Sequence, residues 1–355
     1  MTSLPRNGAT LAQSGIPLLL PATPFAVPFA ASFRGLNQRE GVLIEGPAGW
    51  GEFAPFADYG PEQDARWLAA AIEAAVTPQA LPEVVVPVNA ILPDVPDTQL
   101  PSAVQELLTQ TGCQVVKLKV GARPVAADIA RVMAAAAAAA DVVPGVRWRL
   151  DGNGLLDPRQ AGELSRTIRS EQVVIDYFEQ PCRTVAELEQ FRTLDPEVRV
   201  AVDETIRRDR DFSAVAHVAD VAVVKVAPLG GVRQAARVIA ELPVPVVVSG
   251  AAESSVGATR DARLAAALPD TGLVHGLGTG TLLADDLVTR PLLPSGGVVS
   301  ALPVEVSPSA LARATGRLDA DRQAQWRDRL DRAWRVGLEH GLFHHEDLAE
   351  LGVTA

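Results

Sequence analysis

The chain has 355 residues, of which 48% are hydrophobic and 21% are charged, and its formal net charge is −11. This composition indicates a soluble globular protein, long enough for a barrel of about 250 residues plus an appended unit. The negative charge argues against nucleic acid or a membrane surface as a partner, because both attract a basic face. An anionic substrate would therefore have to be attracted by local cations.

The cysteine content predicts a reduced, cytoplasmic protein. Cys113 and Cys182 give neither a disulfide framework nor a metal-ligand spacing. The apolar stretch 16–33 resembles a signal peptide in composition, but its four prolines would break the helix that such a signal needs. No uninterrupted apolar run is long enough to span a bilayer. The sequence carries no indication of oligomeric state.

The N-terminal part of the chain predicts a small α+β capping domain over residues 1–92. A strand-like pattern runs over residues 16–52, where REGVLIEGPAGWGEF indicates two strands around a Gly/Pro turn. Pro61 then begins a helical pattern. A Pro-rich passage leads into a first barrel strand near residues 84–90.

Strand and helix signals alternate through residues 93–294, which predicts a parallel sheet closed into a barrel. The predicted strands are 114–120, 146–151, 173–179, 198–203, 220–226, 244–249 and a short one near 273–276. The predicted helices are 102–111, 125–140, 158–170, 185–194, 232–241 and 256–268. Residues 295–355 include a charged helix over 320–339 and are expected to pack back on the cap.

Two lysines on one predicted strand are candidates for acid–base chemistry. Lys117 and Lys119 in VVKLK are separated by one residue, so their side chains point to the same side of a strand. Repulsion and burial would lower the pKa of at least one of them towards the range of a general base. The alternative is a solvated edge strand, which the flanking Val and Leu residues disfavour.

Three carboxylates follow three successive strands and predict a metal site. Asp151, Glu179 and Asp203 end the runs VRWRLDGN, VVIDYFEQP and VRVAVDE, and Glu204 is an alternative to Asp203. Parallel barrel strands end around one mouth, so these acids should converge there. Three carboxylates without Cys or His favour Mg²⁺, with Mn²⁺ as a possible substitute.

Further candidates lie on later strands. Lys225 in VAVVKV would face the substrate opposite Lys119. The helix starts after PLGG (228–231) and at ESSVG (253–257) have backbone N–H groups that can hold a distal carboxylate. The loop 275–280 is rich in glycine but has no dinucleotide-binding pattern, and we interpret His275 as structural.

The order KLK, DGN, EQP, DE and K resembles the enolase superfamily in its muconate-cycloisomerase-like branch. Within that branch, the segments 39–59, 177–184, 201–208, 223–232 and 276–280 are most similar to the o-succinylbenzoate synthases. The resemblance covers residues 16–290. It implies an α/β fold, a modified TIM barrel of the (β/α)7β type with an α+β capping domain.

The resemblance also implies a reaction, the Mg²⁺-dependent syn dehydration of a cyclohexadiene carboxylate in menaquinone biosynthesis. Lys119 would remove the α-proton and return it to the departing hydroxide. Lys225 would stabilise the intermediate from the other face, and Lys117 would tune Lys119.

The substrate of this reaction is a small carboxylate anion. Its expected contacts are Asn153, Ser249, Gly250, Gly276 and Gly278. Gly250 departs from the family pattern, because a second small hydroxyl residue is expected after Ser249 to contact the succinyl carboxylate.

The residues leave other reactions open. An N-acylamino acid racemase or a dipeptide epimerase of the same superfamily would use Lys119 and Lys225 as two bases. A metal-free aldolase using Lys225 as a Schiff base, or a non-catalytic binding protein, belongs to a different class. We further predict that the segment 49–60, with its glycines and aromatic residues, folds over the barrel mouth and excludes water.

Overall fold

The computed structural model describes residues 20–352, apart from residues 34, 79–82, 209 and 211. The first four residues of the apolar stretch 16–33, which was predicted not to be a signal peptide, lie outside the described residues. Within the described ranges, no helix combines the length and the apolar character needed to cross a membrane.

The N-terminal part forms a three-stranded antiparallel sheet with a long helix on it. The strands β1 (Ala22–Phe33), β2 (Leu36–Gly46) and β3 (Gly49–Phe53) lie in chain order, and α1 (Pro61–Val76) packs against β3. The two strands predicted around a Gly/Pro turn are confirmed as β2 and β3. Residues 42–44 are all buried, which shows that both faces of this sheet are covered.

Seven parallel strands form the barrel sheet in chain order. They are β5 (Ala90–Ile91), β6 (Val115–Lys119), β7 (Arg147–Asp151), β8 (Ile175–Glu179), β9 (Val200–Val202), β10 (Val221–Val224) and β11 (Val246–Val248). The sheet is closed by two single-residue bridges, from His275 to Val88 and from Gly276 to Ser249. The predicted modified barrel is confirmed, although its expected last strand near 273–276 is reduced to these two bridges.

Helices connect the strands of the barrel. They are α2 (Leu100–Thr111), α3 (Val125–Ala140), α4 (Pro158–Ser170), α5 (Val185–Leu194), α6 (Glu204–Arg207), α7 (Phe212–Val218), α8 (Val226–Leu229), α9 (Val232–Glu241) and α10 (Ser255–Ala266). The bounds of α3, α4, α5 and α9 match the prediction. The side chain of Asp157 fixes the start of α4 by accepting hydrogen bonds from the N–H groups of Arg159 and Gln160. Helices α6, α7 and α8 were missed, because one or two turns show no helical periodicity.

The predicted first barrel strand over 84–90 was wrong for residues 84–87, whereas Val88 and Ala90 do pair within the barrel. β4 (Val84–Pro87) instead pairs antiparallel with β12 (Val298–Ala301) from the tail, and the barrel begins after it. Proline has no N–H to donate to a ladder, so Pro87 suits the end of a short peripheral strand. Val85 on this strand is 58% exposed, unlike the valines of the barrel strands.

The C-terminal segment adds α11 (Pro308–Gly316), α12 (Ala320–Glu339) and α13 (His345–Glu350). α12 packs along α1, and Trp326 and Trp334 on it are buried in one hydrophobic core with Trp67 of α1. Arg329 on the same helix makes an ion pair with Asp64 of α1. The tail and the N-terminal sheet therefore share one core.

Candidate active site

The three predicted acids lie together at the carboxyl ends of adjacent strands. Asp151 ends β7 and is paired directly with Glu179, which ends β8. Asp203 follows β9, the next strand in the sheet. All three side chains are almost completely buried. The parallel register explains this convergence, since it brings strand ends to one side of the sheet.

The three predicted lysines bind these acids. Lys117 Nζ lies 2.7 Å from Asp151 Oδ2 and 2.8 Å from Glu179 Oε2. Lys119 Nζ lies 2.6 Å from the same Asp151 oxygen, as expected for two side chains on one side of a strand. Lys225 Nζ lies 2.6 Å from Asp203 Oδ2. The described side chains thus form one buried network of charge at the barrel mouth.

The expected repulsion between the lysines does not decide the charge of Lys117. Burial lowers the pKa of Lys117, but Asp151 and Glu179 outweigh it and raise the pKa above its ordinary value. The prediction of a lowered pKa was therefore wrong for Lys117. Its side chain is only 7% exposed, whereas that of Lys119 is 32% exposed and faces an open cavity.

The acids have the chemistry of a site for a hard cation. No three Asp, Glu, His or Cys side chains among the described residues are gathered at metal-binding distance, and lysine ammonium groups contact the carboxylates instead. Burial raises the pKa of Glu179, and the negative charges of Asp151 and Asp203 add to this effect. Anionic oxygens that crowd one another in this way fit a divalent cation of the Mg²⁺ type.

Sequence reasoning missed the groups that hold Asp203. Arg207 Nε donates to Asp203 Oδ1 at 2.8 Å, and its Nη1 donates to the hydroxyl of Tyr59 in the cap at 2.8 Å. Gln180 Oε1 accepts a hydrogen bond from the backbone N–H of Asp203 at 3.1 Å. The spacing of Asp203 and Arg207 on one turn of α6 was the available signal. Glu204, the alternative to Asp203, binds Arg207 at 2.6 Å.

Four predicted substrate contacts line a cavity beside the lysines, and Asn153 lines the other cavity that Lys119 faces, but most of their polar groups already have partners. The N–H of Gly250 donates to Gly276 O at 3.1 Å, and Ser249 Oγ donates to the same oxygen at 3.3 Å. Asn153 Oδ1 accepts from Lys119 Nζ at 2.6 Å, so this side chain orients the lysine. Gly278 lies against the backbone of Asn89, where a Cβ would come within 2.3 Å of the carbonyl oxygen.

The expectation that two helix N-termini would hold a distal substrate carboxylate was wrong. At the start of α10, the N–H groups of Ser254 and Gly257 donate to Glu52 of the cap. At the start of α9, the N–H of Arg233 donates to Glu73 of α1. Carboxylates of the chain's own cap take the place that was assigned to the substrate.

His275 belongs to the wall of the barrel, and part of the segment 49–60 covers the cavity. Nδ1 of His275 accepts from the N–H of Val248 at 3.0 Å, and burial followed by the charge of Arg149 lowers its pKa to about 4. This histidine is therefore a neutral part of the barrel wall. Residues 49–53 of the predicted covering segment form β3 instead of a loop, while Phe56 reaches the cavity. Arg329 donates to the carbonyl of Phe56 and so fixes its backbone.

The chain matches two family models, described as enolase N-terminal domain-like over residues 25–75 and enolase C-terminal domain-like over residues 99–305. Among solved structures, a muconate lactonizing enzyme from Pseudomonas fluorescens has a TM-score of 0.69 at 19% identity. That match covers 83% of this chain and 98% of the other. An L-Ala-D/L-Glu epimerase from Bacillus subtilis has a TM-score of 0.67 at 20% identity, covering 81% and 96%. The barrel, its cap and the acids at its mouth define the enolase-superfamily class.

Curated relatives are closer in sequence. An o-succinylbenzoate synthase of Thermobifida fusca (strain YX) is 43% identical over 311 residues, which cover 86% of this chain and 93% of the relative. One of Mycolicibacterium smegmatis (strain ATCC 700084 / mc(2)155) is 40% identical, covering 86% and 92%. The chain belongs to the o-succinylbenzoate synthase family of the enolase superfamily.

Proposed function

We propose that the protein is a hydro-lyase that converts 2-succinyl-6-hydroxy-2,4-cyclohexadiene-1-carboxylate into o-succinylbenzoate in menaquinone biosynthesis. The observation that supports this proposal is the joint contact of Lys119 and Lys225 with two acids of the buried Asp151, Glu179 and Asp203 group. Family membership at 43% identity supports the choice of substrate. The substrate is a small carboxylate anion, which the local lysines attract against a net charge of −11.

The proposed cofactor is Mg²⁺, which Mn²⁺ can replace, with Asp151, Glu179 and Asp203 as its ligands. When bound there, the ion supplies positive charge beside the substrate carboxylate as the α-proton leaves. Lys117 and Lys225 contact the same carboxylates, so their ammonium groups would have to move aside or share the oxygens with a bound ion. The buried position of all three acids removes competing water from the site.

The proposed steps use one base. Lys119 Nζ takes the α-proton and then gives it to the hydroxide that leaves from the same face, so water is lost and the ring becomes aromatic. Asn153 Oδ1 directs the amine of Lys119, and Lys225 holds its positive charge beside the developing anion. Lys117 anchors Asp151 and Glu179. Phe56 covers part of the cavity and limits the access of water.

Racemisation is the second candidate, because Lys119 and Lys225 both lie beside the cavity, as a two-base mechanism requires. The contact between Lys225 and Asp203 favours a cationic role for this lysine. Incorporation of solvent deuterium at the α-carbon of an N-acylamino acid would reveal racemisation.

The test is an absorbance assay with the cyclohexadiene substrate, in Mg²⁺ and after chelation. Turnover that needs the metal supports the proposal. Undiminished turnover after removal of all divalent ions contradicts the assigned cofactor, and no turnover with metal contradicts the reaction. We propose a cytoplasmic location without nucleic acid or membrane partners, in keeping with the two free, buried cysteines.

A further inference from the structure

The wall of the cavity contains one hydroxyl that has no hydrogen-bond partner among the described residues. Thr279 lies in the short 3₁₀ helix Gly278–Leu282 after the barrel-closing bridges, and its side chain is 6% exposed. Its Oγ1 is shielded from solvent and makes no hydrogen bond. A buried hydroxyl without a hydrogen-bond partner costs free energy. In a binding cavity, a bound ligand can supply the missing partner.

The glycine that departs from the family pattern lies next to this hydroxyl. A Cβ placed on Gly250 would come within 2.8 Å of Thr279 Oγ1 and 3.1 Å of Glu253 Oε2. A hydroxyl residue at position 250 would therefore collide with Thr279. The threonine at position 279 is compatible with glycine at position 250, because a larger residue there would occupy the same space as the Thr279 hydroxyl.

The position of Thr279 decides which part of the substrate it faces. The acids lie on the third, fourth and fifth strands of the barrel, while residues 275–276 close the ring between β11 and the segment before β5. Thr279 is thus on the opposite wall, with the lysines between. A substrate whose reacting carboxylate is held at the acids turns its non-reacting arm towards this wall.

We infer that Thr279 is a specificity-determining residue whose hydroxyl donates a hydrogen bond to an oxygen of the substrate's non-reacting arm. A rotation about χ1 would bring Oγ1 to another staggered position, and this rotation breaks no hydrogen bond. The neighbouring Ser249 hydroxyl and Gly250 N–H both donate to Gly276 O and are therefore already used. The Thr279 hydroxyl is the neighbouring donor that remains for the substrate arm. The inference rests on the proposed function, because that function defines the arm as a succinyl group.

The test measures binding of o-succinylbenzoate and of benzoate, which lacks the arm, by calorimetry with saturating Mg²⁺. Thr279→Val should weaken binding of o-succinylbenzoate about tenfold and leave benzoate unchanged within about twofold. Thr279→Ser keeps the hydroxyl and should bind like the wild type. In turnover, Thr279→Val should raise KM more than it lowers kcat. The compound 2-butyrylbenzoate keeps the ketone without the terminal carboxylate. An unchanged affinity for it in Thr279→Val identifies the carboxylate as the acceptor, and a weakened one identifies the ketone.

A stability measurement separates recognition from structure. Because the Thr279 hydroxyl has no partner, Thr279→Val should leave the melting temperature unchanged or raise it. The matched control is Thr259→Val, since Thr259 is equally buried but donates to Ser255 O at 2.7 Å. That control should lose stability and keep its affinity for o-succinylbenzoate.

A swap gives the strictest test. Gly250→Ser alone should weaken binding, because its side chain meets Thr279 Oγ1, whereas Gly250→Ser with Thr279→Ala should restore much of the affinity. Wild-type affinity for o-succinylbenzoate in Thr279→Val, or an equal loss of benzoate binding, overturns the inference while the proposed function stands. A wild-type protein that neither binds o-succinylbenzoate nor turns over the substrate overturns both.

Discussion

Glu52 links the cap to the barrel and makes the stability of this contact depend on pH. It lies on β3, is buried, and accepts hydrogen bonds from Ser254 N and Gly257 N at 3.1 Å and from Ser254 Oγ at 2.5 Å. Burial raises its pKa from 4.5 to about 7, and the nearby charge of Glu253 adds to the rise. The hydrogen bonds of Ser254 and the charge of Arg39 act in the opposite direction and are outweighed.

The magnitude follows from the difference between the folded and unfolded pKa. Because the folded state binds the proton more tightly, Glu52 contributes stability that is fully present below pH 4.5 and is lost as the pH rises through about 7. The complete loss is about 3 kcal/mol. About 2.5 kcal/mol of it falls between about pH 5 and pH 8.5.

Urea unfolding of the wild type and Glu52→Gln across this pH range measures the effect. Glutamine does not titrate, so the stability of the variant relative to the wild type should rise by about 2.5 kcal/mol from about pH 5 to pH 8.5. Altered hydrogen bonds to Ser254 shift this difference equally at every pH. Glu45→Gln, at an exposed position on β2, is the control. A difference between wild type and Glu52→Gln that stays flat with pH refutes the reasoning.

Three predictions concern the active site. Asp151→Asn should abolish turnover at sub-saturating Mg²⁺ without unfolding the protein, and wild-type activity in that variant would rule out the metal assignment. Lys119→Arg should be inactive and Lys225→Arg only weakened, because arginine keeps the charge but cannot act as a base; dehydration by Lys119→Arg would show that another group is the base. Arg207→Met should cost about 3 kcal/mol in unfolding free energy, since it leaves Asp203 with less compensation, and should weaken metal binding measured by calorimetry. Unchanged stability and metal affinity would remove Arg207 from this role.

The sequence predicts the parts of the fold that depend on local pattern. α3 and α5 have the predicted bounds. A run of helix-forming residues, or a helical pattern that continues over ten or more residues, is a strong local signal. The convergence of Asp151 with Glu179 also follows from pattern, because both end valine-rich or aromatic strands that pair in parallel register. Position along a strand is enough to locate such residues.

Partners that come from distant segments could not be predicted in this way. The free N–H groups at the start of α10 are a local feature, but the side chain that fills them, Glu52, is about 200 residues earlier and belongs to the cap. β4 has the composition of a barrel strand, yet it pairs with β12 from the tail. In both cases the local pattern indicates an unsatisfied group, and only the tertiary structure decides which segment satisfies it.

The difference between Lys117 and Lys119 shows how one strand can supply two functions. Both ammonium groups lie within hydrogen-bonding distance of Asp151 Oδ2. The sequence spacing places both side chains on the same side of the strand, so it does not indicate which lysine is the base. Lys117 also contacts Glu179 and is almost buried, so removing its proton would leave the buried carboxylate of Glu179 without the cation that contacts it. Lys119 is about one-third exposed and lines a cavity, and its ammonium group donates a hydrogen bond to Asn153. The lysine with fewer buried anionic partners is the one whose proton can be exchanged with a substrate, which is why we assign the base to Lys119.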